Sequence, residues 1–131
     1  IKMRAVVLFA AICVLASASA QSHDLIVGDV SPGDVVIYKT IEYKYGFPLI
    51  VRTSYIDYPP QGQDNLATIT AIFVKDHQTD GTGGWPSIPY GGVGQKFVKI
   101  KLESQRGYGF NFTVTLYGSY YNSKSNGVVR K

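Results

Sequence analysis

The chain has 131 residues, with 13 Lys and Arg against 9 Asp and Glu, a formal charge of +4, and a single cysteine. That excess is too small and too scattered for a nucleic-acid-binding face, which shows as clustered basic charge. One cysteine excludes an intrachain disulfide framework, so the fold must rest on packing.

Residues 1–20 do not read as folded structure. Lys2 and Arg4 give a positive start, residues 5–15 (AVVLFAAICVL) are an unbroken apolar run, and Ala18-Ser19-Ala20 is a small-x-small cleavage site. Those three parts make a secretory signal peptide, and the run is too short to span a bilayer as an anchor. Met3 is the expected start, with Ile1 and Lys2 upstream of it. Cleavage after Ala20 would leave 21–131, remove Cys13 and Met3, and lower the charge from +4 to +2. No second apolar run of spanning length follows, so no membrane anchor is expected. The remainder is expected to be one domain, with 119–131 a basic tail or a short last strand.

The predicted elements are all strands. Residues 25–30 are a short first strand. Ser31-Pro32-Gly33-Asp34 is a turn, with proline presetting φ and glycine tolerating a positive one. Residues 35–43 (VVIYKTIEY) are rich in β-branched and aromatic side chains. Tyr45-Gly46 breaks that run, and 47–57 (FPLIVRTSYID) form the next strand, with Pro48 at its beginning or on an edge. Residues 58–65 (YPPQGQDN) are a loop.

Residues 66–75 (LATITAIFVK) carry apolar side chains at both parities, which predicts a central strand covered on both faces. Residues 76–95 read as a long glycine-rich loop, functional or containing a short strand at 87–90. In 96–104, Val98, Ile100 and Leu102 point one way, with Phe97, Lys99, Lys101 and Glu103 opposite. A turn at 105–109 leads to 110–116, with Phe110, Phe112, Val114 and Leu116 inward and Asn111, Thr113, Thr115 and Tyr117 outward. Period-two alternation on neighbouring runs marks an antiparallel pair with one wet face. No run shows sustained helical spacing. The expected fold is all-β, an antiparallel sandwich of about seven to eight strands.

Few residues offer chemistry. Asn111-Phe112-Thr113 is an N-glycosylation sequon on the wet face of its strand. Gly81-Thr82-Gly83-Gly84 and Gly91-Gly92-Val93-Gly94 match neither G-x-G-x-x-G nor the P-loop, so no cofactor-binding site is expected. Gln21-Ser22-His23 at a free N-terminus could wrap Cu(II) or Ni(II) in nitrogens, but N-terminal glutamine cyclises and blocks the amine. His77 has no partner ligands in sequence, so no metal site is expected. There is no serine elbow and no cysteine nucleophile outside the leader; Asp76 and Asp80 read as loop aspartates rather than paired acids, and no enzyme is expected. Trp85, Tyr90 and Tyr117 are candidates for a binding surface, Tyr120 and Tyr121 lying nearby; alternatively Trp85 tucks into the sandwich end and anchors its loop.

The second half also resembles a known family. The run ITAIFVKD, then DGTGG, then GGVGQKFVKIKLESQRGYGFNFTVTLYG are similar to an insect family named after the transcription activator multiprotein bridging factor 2. Other members are labelled probable salivary secreted peptides. Glycines 83, 84, 91, 92 and 94 and the Arg106-Gly107-Tyr108-Gly109 turn carry the likeness, strong over 69–118 and weaker over 25–64. The resemblance implies a small insect protein with a signal peptide. The family name implies a co-activator bridging a DNA-bound regulator to general transcription factor IIA. Lys124, Arg130 and Lys131 do not make a nuclear-localisation cluster. The expectation is a secreted, extracellular, non-enzymatic binding module whose partner is a protein or a small ligand, without direct nucleic-acid binding. The sequence leaves the oligomeric state open.

Overall fold

The computed structural model describes residues 22–120. The expected signal peptide and most of the expected tail lie outside the described residues. Seven strands run in the order β1 (Leu25–Gly28), β2 (Val35–Lys44), β3 (Thr53–Tyr58), β4 (Thr68–Asp76), β5 (Trp85–Gly91), β6 (Val98–Glu103) and β7 (Phe110–Ser119). They form two antiparallel sheets, β1-β4-β7-β2 and β3-β6-β5. The expected all-β sandwich is therefore the architecture observed.

The two alternating runs supply the middle of the core. Val98, Ile100 and Leu102 of β6 face Phe110, Phe112, Val114 and Leu116 of β7, joined by Ile56 of β3 and Ile69, Ile72 and Val74 of β4. Each fully buried side chain of this size contributes about 1.5–3 kcal/mol of transfer free energy. This packing does the work that disulfides do in many small domains.

Three local expectations are corrected. β4 is central in its sheet, but its outward side is covered only in part: Ala71 is buried and Phe73 half-buried, while Lys75 is exposed. A bulge between Ile69 and Ala71 shifts its phase, so Ile69, Ile72 and Val74 all turn inward while Lys75 stays exposed. Leu66 lies outside the strand and is 72% exposed. The strand expected from residue 47 begins only at Thr53. Pro48 offers no N–H, Leu49 adopts a positive φ of 67°, and Ile50 N–H closes a turn on the Phe47 carbonyl at 3.1 Å. The twenty-residue loop holds β5, longer than the short strand allowed for. Pro86 and Pro89 fit there because β5 is an edge strand, where missing N–H groups can face solvent.

Candidate functional site

The outer face of β3-β6-β5 is a grid fixed by register. Thr53, Tyr55 and Asp57 of β3 stand opposite Glu103, Lys101 and Lys99 of β6. On the other side Trp85, Ser87 and Tyr90 of β5 stand opposite the same three residues. Since Val98, Ile100 and Leu102 are buried, these positions point away from the core. Trp85 and Tyr90 differ by an odd number of residues, so a regular strand would send them to opposite faces. The bulge between Ser87 and Tyr90 returns Tyr90 to the outer side. Three large aromatic side chains thus share one surface, with Tyr55 55%, Trp85 54% and Tyr90 63% exposed. Phe97, just before β6, adds a fourth exposed ring.

Charged groups occupy the middle of this face. Lys99 Nζ lies 2.9 Å from Asp57 Oδ1 and 5.2 Å from the centroid of the Tyr55 ring. Lys101 Nζ lies 3.7 Å from Glu103 Oε1. Exposed pairs of this kind contribute at most about 1 kcal/mol to stability. Their effect here is to set donors beside acceptors with no net charge among the four.

Trp85 is oriented from one side. The His23 imidazole stacks on it with centroids 3.7 Å apart and planes at 20°. His23 is itself pinned: its backbone N–H donates to Asp76 Oδ2 at 2.7 Å, and Nδ1 lies 2.9 Å from the Gly84 carbonyl oxygen. Asp76 is fully buried, and its other oxygen accepts the Gln78 N–H at 2.9 Å. The Asp76 N–H donates to Asp24 Oδ1 at 2.8 Å. Trp85 therefore neither tucks into the sandwich end nor stands free; one face of its indole is covered and much of the rest is open.

The remaining expected residues fall elsewhere. Tyr117 lies on the outward side of β7, in the other sheet, with its ring 5.2 Å from Phe73. The structure brings Trp85 and Tyr90 together and leaves Tyr117 on the other layer. Asp80 is exposed and accepts the Thr82 N–H at 3.0 Å and the Thr82 hydroxyl at 2.6 Å. Those bonds, the hydroxyl's first, hold its carboxyl below the ordinary carboxylate value. The His23 backbone nitrogen and Nδ1, two atoms an N-terminal copper or nickel site would use, are both engaged. Among the described residues no group of three His, Cys, Asp or Glu could hold a metal ion. Asn111 faces outward on β7, paired with Tyr43 of β2. Sequence reasoning recognised the outward Lys99 and Lys101 but missed Tyr55 and Asp57. They join the face only because β3 pairs with β6, an order that no local pattern shows.

The fold and this face define a small all-β domain with one aromatic, charge-paired layer open to solvent. The chain belongs to the family described as transcription activator MBF2, whose model matches residues 27–118, from within β1 to β7. It is similar to a protein of Bombus ignitus named "Probable salivary secreted peptide", 34% identical over 103 residues that span 76% of this chain and 72% of that one. No solved structure matches.

Proposed function

We propose that the protein is a small secreted insect β-domain that acts without catalysis, by binding a partner on the outer face of β3-β6-β5. One observation carries the binding reading: Tyr55, Trp85 and Tyr90 are held exposed on one sheet face, where burial would ordinarily be favourable. Export is supported by the charged start, apolar run and Ala18-Ser19-Ala20 site, and by the name of the bumblebee relative. The two aspartates weighed as paired acids have other partners: Asp76 accepts the backbone N–H groups of His23 and Gln78, with His23 Nδ1 3.9 Å away, and Asp80 accepts from Thr82.

The family's description as a transcription activator supports a second reading, the nuclear co-activator that the resemblance implies, bridging a DNA-bound regulator to general transcription factor IIA. Intact mass separates the two. A chain beginning at Gln21 in saliva, gut fluid or haemolymph is the expected result. A full-length chain confined to nuclei, binding the general factor directly, would replace the secreted reading.

A further inference from the structure

The chemistry of the β3-β6-β5 face narrows what it can hold. Its centre is charged and its aromatic rings stand at the sides, the reverse of a protein-protein hot spot, where the middle is depleted of charge. The two ammonium groups each lie beside a carboxylate, so the face lacks the field that retains a polyanion. Lysine only donates and carboxylates only accept. Set side by side, they satisfy groups that do both, namely hydroxyls. Exposed rings offer flat apolar area to a ligand surface of C–H groups. Strands lie about 4.8 Å apart and rise about 3.4 Å per residue, so the grid measures roughly 10 Å by 13 Å. That is wider than one sugar ring and is a sheet surface rather than an enclosed cleft.

We propose that this face binds a neutral carbohydrate chain, a deduction that rests on reading it as the binding surface. Tyr55, Trp85 and Tyr90 offer stacking surfaces to sugar rings spread over the face, and the Asp57–Lys99 and Lys101–Glu103 pairs hydrogen-bond the hydroxyls. His23 holds the indole ready on its opposite side, reducing the ordering cost on binding.

Trp85 is the chain's one tryptophan, so intrinsic fluorescence reports on the face directly. The full secreted chain is titrated with cellohexaose and with chitohexaose, and with a heparin hexasaccharide as the anionic counterpart. The expected result is a saturable change in Trp85 emission with a neutral hexasaccharide, little altered by salt. Tyr55→Ala and Tyr90→Ala each weaken it about tenfold, the effect of losing roughly 1.4 kcal/mol of stacking. Ile41→Ser, exposed on the other sheet, leaves it unchanged. Heparin binding alone, abolished by salt, would overturn the proposal in favour of an anionic ligand. In parallel, a photoreactive benzoylphenylalanine at exposed Ser87 is irradiated in insect saliva and haemolymph. A specific cross-link without any response to the neutral sugars overturns the carbohydrate class while leaving the face a binding surface. Neither cross-link nor response overturns both.

Discussion

His23 lies ring on ring with Trp85, centroids 3.7 Å apart, although 62 positions separate them in sequence. The contact joins the residues before β1 to the start of β5, and so ties both sheets at one end. Stacked aromatic pairs contribute about 0.5–1.5 kcal/mol beyond burial, and the Nδ1 contact with Gly84 adds about 1 kcal/mol. His23→Ala is expected to lose about 1.5–2.5 kcal/mol in urea unfolding and to shift Trp85 emission to the red. His23→Phe keeps the stack and loses only the Gly84 contact, so its emission should stay near that of the parent. An unchanged spectrum in His23→Ala would show that the stack does not form in solution.

Asp76 is fully buried, and its oxygens accept the backbone N–H groups of His23 and Gln78. Asp76→Ala strands both donors and is expected to cost about 2–4 kcal/mol. Asp76→Asn keeps one acceptor but turns an amide N–H toward the other donor, so its cost should be smaller. Gly83 packs against the same side chain, where an added Cβ would sit 2.6 Å from Asp76 Oδ1 and 2.9 Å from its Cγ. Gly83→Ala is expected to destabilise the parent by displacing that carboxyl. It should add little in the Asp76→Ala background, where the obstacle is gone. A double-mutant cycle by urea denaturation measures the coupling, and strict additivity would refute it.

The parts of the fold that sequence made legible are those where one rule acts alone. β6 and β7 alternate without interruption, and their inward residues are the buried ones. The parts that escaped it are those where a bulge or a proline breaks the rule. At β4 the Ile69/Ala71 irregularity puts Ile69 on the same side as Ile72 and Val74, which a strict alternation would separate. At β5, Pro86, Pro89 and a second bulge disguised an edge strand as loop, and with it the reason that Trp85 and Tyr90 share a face. Tyr55 had a further obstacle. It reaches Trp85's side of the molecule only through β6, which comes more than forty residues later in the chain.

Asp80 gives a pH test. The Thr82 hydroxyl, and after it the Thr82 backbone N–H, hold its carboxyl below the ordinary value. A depressed folded value means the ionised form is favoured by folding. The contribution is present above the unfolded value of about 4 and is lost as pH falls through the folded one. A carboxyl-detected NMR titration is expected to place the Asp80 midpoint below that of a free aspartate. Thr82→Ala removes the larger cause and should move the midpoint back upward, while the backbone N–H bond prevents a full return. A midpoint that ignores Thr82→Ala would mean the hydroxyl bond is not made in solution.

Asn111 provides the remaining test, and it separates export from folding. It stands outward on β7 opposite Tyr43, beside a hollow of about 240 Å³ lined by Tyr43, Lys44, Tyr45, Gln78, Gly109 and itself. A glycan there has open space and two tyrosines to rest on. The sequon's Thr113 is less free, because its hydroxyl lies 2.7 Å from His77 Nε2. If glycan transfer precedes closure of β7, that contact is irrelevant to it. The full chain made in insect cells should then be heavier than its polypeptide by one glycan. Asn111→Gln and Thr113→Val should both abolish the increment, and Thr113→Ser should keep it. His77→Ala should leave the glycan intact and lower stability by about 1 kcal/mol. If instead every variant has its bare polypeptide mass although the parent is found in the medium, β7 folds before modification and the sequon is silent. Bare mass together with retention inside the cell would count against export itself.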